Sequence, residues 1–156
     1  MDGIKTSITG TQGIDNMLQG LSAIDQNKII KAGLRAGVNL LKNAGKRRLR
    51  ERMHNPAGVT GNLLNAFSVR VKKNKLGALA GFQMITENSA GEKIKVGHAY
   101  IVDSGTEERN RKGGGSTGVM PSLKYWTDTR NGDADRALEL VEESVTKAVT
   151  KMGAQS

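Results

Sequence analysis

From Gln26 to Arg52 the apolar residues Ile30, Leu34, Val38, Leu41 and Leu49 recur at spacings of three, four and eight. That spacing predicts one long helix with a single apolar face, and the rest of the chain has to pack around it. Gly33, Gly37 and Gly45 interrupt the run, each costing about 1 kcal/mol of helix stability relative to Ala. Their smooth side predicts close packing of another backbone. The run closes on Lys46-Arg47-Arg48-Leu49-Arg50-Glu51-Arg52, where cations complement the helix dipole. Asn55-Pro56-Ala57-Gly58 then breaks the helix. Asp25 suits its N-cap. Ahead of it, Ile14, Met17, Leu18, Leu21 and Ile24 predict a short helix from Gly13 to Ile24. Residues 1–12 read as a flexible or strand-adding arm.

Beyond the break the period changes. Phe67, Val69 and Val71 alternate with Ser68, Arg70 and Lys72, which predicts a half-buried strand within Asn62 to Lys75. Asn74-Lys75-Leu76-Gly77 predicts a turn, and Ala78 to Thr86 a second strand. After a turn at Glu87–Glu92, Lys93 to Val102 predicts a third strand. Gly105 to Met120 is a 16-residue stretch rich in Gly, Ser, Thr and charge, a length that marks functional or disordered loops. Order resumes at Pro121, with Leu123, Tyr125 and Trp126. Asp133-Ala134-Asp135 caps a last helix through Met152, whose Leu138, Val141, Val145 and Val149 form an amphipathic stripe.

Composition narrows the function classes. Hydrophobic residues make up 37% of the 156 and aromatics 3%, which predicts a modest core with room for a segment that orders on a partner. The absence of Cys excludes disulfides and thiolate metal sites. No apolar run approaches the roughly 18 residues of a membrane span, and the N-terminus lacks a hydrophobic signal core, so the expectation is synthesis in the cytoplasm. The net charge of +9 is uneven. Residues 1–78 hold 14 Lys and Arg against 4 Asp and Glu, whereas residues 79–156 hold 10 against 11. A basic first half on a near-neutral second half favours an anionic neighbour.

Two segments carry a further signal. Val59-Thr60-Gly61-Asn62-Leu63-Leu64-Asn65-Ala66-Phe67 follows the basic helix, and His98-Ala99-Tyr100-Ile101-Val102-Asp103-Ser104-Gly105-Thr106 precedes the Gly-rich loop. Their order, with Pro121 and a terminal helix after them, resembles the HK97 gp10-like family of phage tail components, which includes tail-completion proteins. Thr60, Gly61, Leu63 and Ala66-Phe67-Ser68-Val69 match the first family segment, and Ala99, Tyr100, Val102, Asp103, Gly105 and Thr106 the second. Asp103 stands where the family commonly has Glu. The resemblance implies a virion subunit of the tail and neck that forms a homo-oligomeric, hexameric ring around the DNA channel. It further implies neighbouring neck, connector or tail-terminator proteins, contact with packaged DNA, and no membrane. Chemically, Gly61 and Gly105 allow sharp bends, and Asp103 and Thr106 can bond loop backbone.

Sharper chemistry finds less support. Asp103 and His98 invite acid–base work, but five residues apart on a predicted strand they face opposite ways. Lys112-Gly113-Gly114-Gly115-Ser116-Thr117-Gly118 lacks the order of a phosphate-binding loop. His54 reads as a surface residue at a helix end. Lys46, Arg47, Arg48, Arg50 and Arg52 could face a DNA channel, and Tyr125 and Trp126 could anchor a partner or fill the core. The expectation is an α+β fold: a small, mainly antiparallel sheet of three to four strands packed on the long helix and a C-terminal helix. It forms a single domain over 13–152, with the arm 1–12 before it, the long loop at 105–120 and a tail at 153–156. The function expected is structural, head–tail joining, with no catalysis, cofactor or metal. The alternative is a basic nucleic-acid-associated protein that binds DNA without sequence specificity.

Overall fold

The computed structural model describes residues 18–19, 21–53, 61–83, 85–87, 90–108, 112–116 and 118–153. The arm 1–12, the start of the predicted first helix, His54, the break at 55–58, Thr60 and residues 154–156 lie outside them. The described chain is α+β. Helix α1 spans Ala23–Arg52 and is followed by a one-turn helix α2, Asn62–Asn65. Strands β1 (Phe67–Val71) and β2 (Ala78–Phe82) form one antiparallel hairpin. Strands β3 (Ile85–Glu87) and β4 (Lys93–Lys95) form a second. Three helices complete the order: α3, Ala99–Ser104; α4, Tyr125–Gly132; and α5, Ala134–Gly153.

The long helix begins earlier than its apolar spacing indicates. Ser22, not Asp25, is the N-cap: its hydroxyl accepts from the Asp25 amide at 3.2 Å and donates to the Asp25 carboxylate at 2.7 Å. This reciprocal pair places Asp25 in the first turn, where its charge suits the dipole. Ile24 therefore belongs to α1 and is exposed, whereas Leu18 is buried.

The glycines of α1 do what their lack of a side chain permits. A Cβ on Gly33 would sit 3.0 Å from the Val141 carbonyl oxygen, and one on Gly37 would sit 2.8 Å from that of Ala137. Helix α5 thus seats its backbone against this face. Gly45 instead receives aromatic rings, with Phe67 Cε1 at 2.7 Å and Trp126 Cε3 at 2.9 Å from a Cβ built there. Four of the five aromatics cluster here. The Phe67 and Phe82 ring centroids are 4.4 Å apart, and Tyr125 and Trp126 lie edge-on to both. Leu49, Leu63, Ala66, Val96, Ala99 and Val102 complete the buried core.

Two strand expectations change. The predicted strand 78–86 divides at Gln83, whose amide donates to the Ala66 carbonyl at 2.8 Å and ends the first hairpin. The four strands form two sheets of two rather than one sheet. The predicted strand 93–102 stops at Lys95, and Tyr100-Ile101-Val102 is helical. Burial of Ala99 and Val102 on one side of a six-residue helix outweighs the strand preference of this short apolar run.

Candidate functional site

The second motif segment builds a junction between α3 and α4. Helix α4 begins after Lys124, which adopts a left-handed backbone (φ 47°) and provides no side-chain cap. The first amides of α4 therefore need an acceptor from elsewhere. Asp103 supplies it. Its Oδ1 accepts from the Trp126 amide at 2.6 Å and the Thr127 amide at 3.3 Å, and its Oδ2 accepts from the Thr127 hydroxyl at 2.6 Å. The residue is only 7% exposed, and its negative charge sits at the positive end of α4.

The backbone around Asp103 is equally occupied. Its carbonyl accepts from the Lys124 amide at 2.9 Å and the Ser122 hydroxyl at 2.6 Å. The Leu123 amide donates to Val102. Thr106 donates its amide to the Met120 carbonyl at 2.9 Å, and its hydroxyl accepts from the Met120 amide at 2.9 Å. The long loop is thus closed at its base. Gly105 makes this closure possible. At φ 76° its absent Cβ would lie 2.8 Å from both the Met120 oxygen and the Ser122 nitrogen. Pro121 is exposed beside this crossing.

Beneath the junction Tyr125 is fully buried, and its hydroxyl donates to the Ala99 carbonyl at 3.0 Å. Burial, and then the nearby charge of Asp103, push its phenol far above the ordinary tyrosine value. Tyr125 is a core residue, which removes it as a partner anchor. Trp126 is half-buried. It lines an open, largely apolar groove of about 430 Å³ with Leu34, Val38, Leu79, Leu138 and Val141.

The first motif segment is simpler. Gly61 is left-handed (φ 73°), a Cβ built there would meet no atom of the described residues within 4 Å, and it leads into α2. Its role is conformational, turning the chain so that Leu63 is buried and Phe67 enters β1.

The basic run at the end of α1 divides in two. Arg48 reaches across to the Thr129 hydroxyl at 3.0 Å and to the Asp133 carboxylate. Arg52 donates to the Leu123 carbonyl and to Asp128, both at 2.7 Å. These two arginines tie α1 to α4, so their charges are already paired within the chain. Asp133 directly precedes α5, where its carbonyl accepts from the Ala137 amide at 2.9 Å, and its carboxylate goes to Arg48. Lys46, Arg47 and Arg50 point outward. Lys46 is half-buried with its pKa lowered, first by desolvation and then by the charges of Lys42 and Arg50. Arg47 has Glu51 at 3.9 Å, both largely exposed.

Asp103 and His98 do not form an acid–base pair. The strand expected to separate them is a helix, yet they remain apart, with Asp103 buried in its contacts and His98 exposed at the N-cap of α3. Among the described residues no group of three His, Asp or Glu is placed to hold a metal ion, and no helix is long and apolar enough to cross a membrane. Compared with known proteins, the chain matches no family model, no curated protein and no solved structure.

Proposed function

We propose that the chain is a structural subunit of a phage virion, a tail-completion or neck protein that assembles into a ring joining tail to head around the DNA channel. The resemblance of its two motif segments to the HK97 gp10-like family motivates the reading. One structural observation carries it: large apolar residues face solvent in two unlike settings on separate elements. The first is the groove between α1, β2 and α5, with Leu79 at its rim 56% exposed. The second is a set of single exposed side chains, Tyr100 on α3 at 77% and Val119 at the closing end of the long loop at 61%. A contiguous apolar patch at solvent marks a partner surface, which the groove supplies. A closed ring needs two different surfaces that meet head to tail. The motif residues Asp103, Gly105 and Thr106 spend their polar groups on the fold, which suits architecture.

Electron microscopy of phage particles tests the reading directly, with the ring expected as six copies at the head–tail junction. Light scattering with the neighbouring neck proteins present should give an oligomer. Leu79→Glu and Tyr100→Glu should each lower its mass without changing the circular dichroism. A chain absent from the virion and monomeric with its neighbours would end the proposal. A basic nucleic-acid-associated protein acting without a ring is the second reading, favoured by the outward cations of α1. It differs by requiring duplex binding from a chain that stays monomeric.

A further inference from the structure

The outer face of α1 carries a longer cationic row than the basic run at its end. Lys28, Lys31, Arg35, Lys42, Lys46 and Arg50 follow one another at three, four, seven, four and four residues. At 3.6 residues per turn that spacing keeps all six on one side. The opposite side holds Gly33 and Gly37 against α5. From Lys28 to Arg50 the row runs about 33 Å at 1.5 Å per residue. Lys28 has one exposed contact, to Asp25 at 3.7 Å. Among the described residues no carboxylate lies within ion-pairing distance of the other five. A second element widens the row. The Lys31 ammonium donates to the Lys73 carbonyl at 2.6 Å, which sets the exposed hairpin cations Lys72, Lys73 and Lys75 along its flank.

We infer that this face binds the phosphate backbone of duplex DNA without reading its sequence. A row of six cations about 33 Å long, five of them without a carboxylate partner among the described residues, is close to one turn of the duplex, about 34–36 Å. Phosphate contacts supply charge-driven affinity and no base discrimination. A second copy of the chain is a weaker fit. Its acidic surface on α5 offers Glu139, Glu142 and Glu143, but Arg136 already bridges Glu139 and Glu143 at 2.9 and 3.2 Å. The inference takes its biological setting from the ring reading, in which the assembly encircles DNA. The contact itself is a property of the single chain.

The test is fluorescence anisotropy of the full chain on a 30-base-pair duplex of arbitrary sequence at 50–300 mM salt. For five phosphate contacts the slope of log K against log salt should be about −4.5. Lys42→Glu with Lys46→Glu and Arg50→Glu should lower affinity by about 30-fold or more at 100 mM salt and flatten the slope by about 2.7. The corresponding Gln variants, milder for folding, should lose about 10-fold. Lys147→Glu with Lys151→Glu on α5 should leave binding unchanged. No duplex binding at 50 mM salt, or equal loss in the α5 variant, would overturn the inference. So would a Glu triple that alters oligomer mass while duplex affinity stays the same. Light scattering on the same samples separates the two ideas. A monomer that binds duplex through this row keeps the inference and removes the ring; a ring that ignores duplex does the reverse.

Discussion

The α3–α4 junction and the outer face of α1 use polar groups in opposite ways. At the junction both Asp103 oxygens, its carbonyl and the Thr106 hydroxyl are all engaged within the chain. Along α1, five of six cations in a row have no acid partner among the described residues. A carboxylate with all its partners already chosen holds a fold together and has nothing left for a ligand. A row of like charges weakens its own helix slightly and is satisfied only from outside. Motif residues whose groups are spent inside the fold, such as Asp103, are therefore poor guides to where a protein meets others, and exposed groups such as Tyr100 and the 23-residue row on α1 are better ones.

The contrast can be broken by measurement. Gly105→Val should have the largest effect, about 4 kcal/mol lost in urea unfolding, because a side chain there meets the Met120 and Ser122 backbone at a left-handed φ. Asp103→Ala should cost about 2–3 kcal/mol by leaving the first amides of α4 without an acceptor, and Asp103→Asn less. Tyr125→Phe should cost about 1 kcal/mol at pH 7 for its bond to Ala99. Because folding raises the Tyr125 pKa, its stabilising share is complete below about pH 10 and declines as pH rises further. The gap between wild type and Tyr125→Phe should therefore narrow above pH 10 in denaturant titrations. Lys46→Gln should have the smallest effect, a gain of a few tenths of a kcal/mol as crowding by Lys42 and Arg50 is relieved. If Asp103→Ala proved as mild as Lys46→Gln, the distinction between the two regions would fall.

What the sequence revealed follows the range of each interaction. Helices α1 and α5 were legible because 3.6-residue periodicity repeats over 30 and 20 residues, and the α1 glycines announced a close approach that α5 supplies. The bends at Gly61 and Gly105 were legible because a left-handed backbone favours glycine. Helix α3, with six residues, is too short for period to distinguish it from a strand. Its packing of Ala99 and Val102 decides the matter, and packing lies outside any local window. The capping role of Asp103 spans 23 residues and the pairing of Arg48 with Asp133 spans 85. Such partners are invisible to local rules, which is why Arg48 and Arg52 read as channel-facing and prove to be internal ties.

The seating of α5 carbonyls on Gly33 and Gly37 sets an order of events. The docking face of α1 is bare backbone at Gly33 and Gly37 and apolar beside them, with Leu34, Val38 and Leu41 along its edge, so it stays adhesive until α5 covers it. During translation α1 must wait with that face uncovered until residues 134–153 have emerged. Loss of those twenty residues would leave a stalled intermediate with an open flank, a ready target for chaperones and proteases.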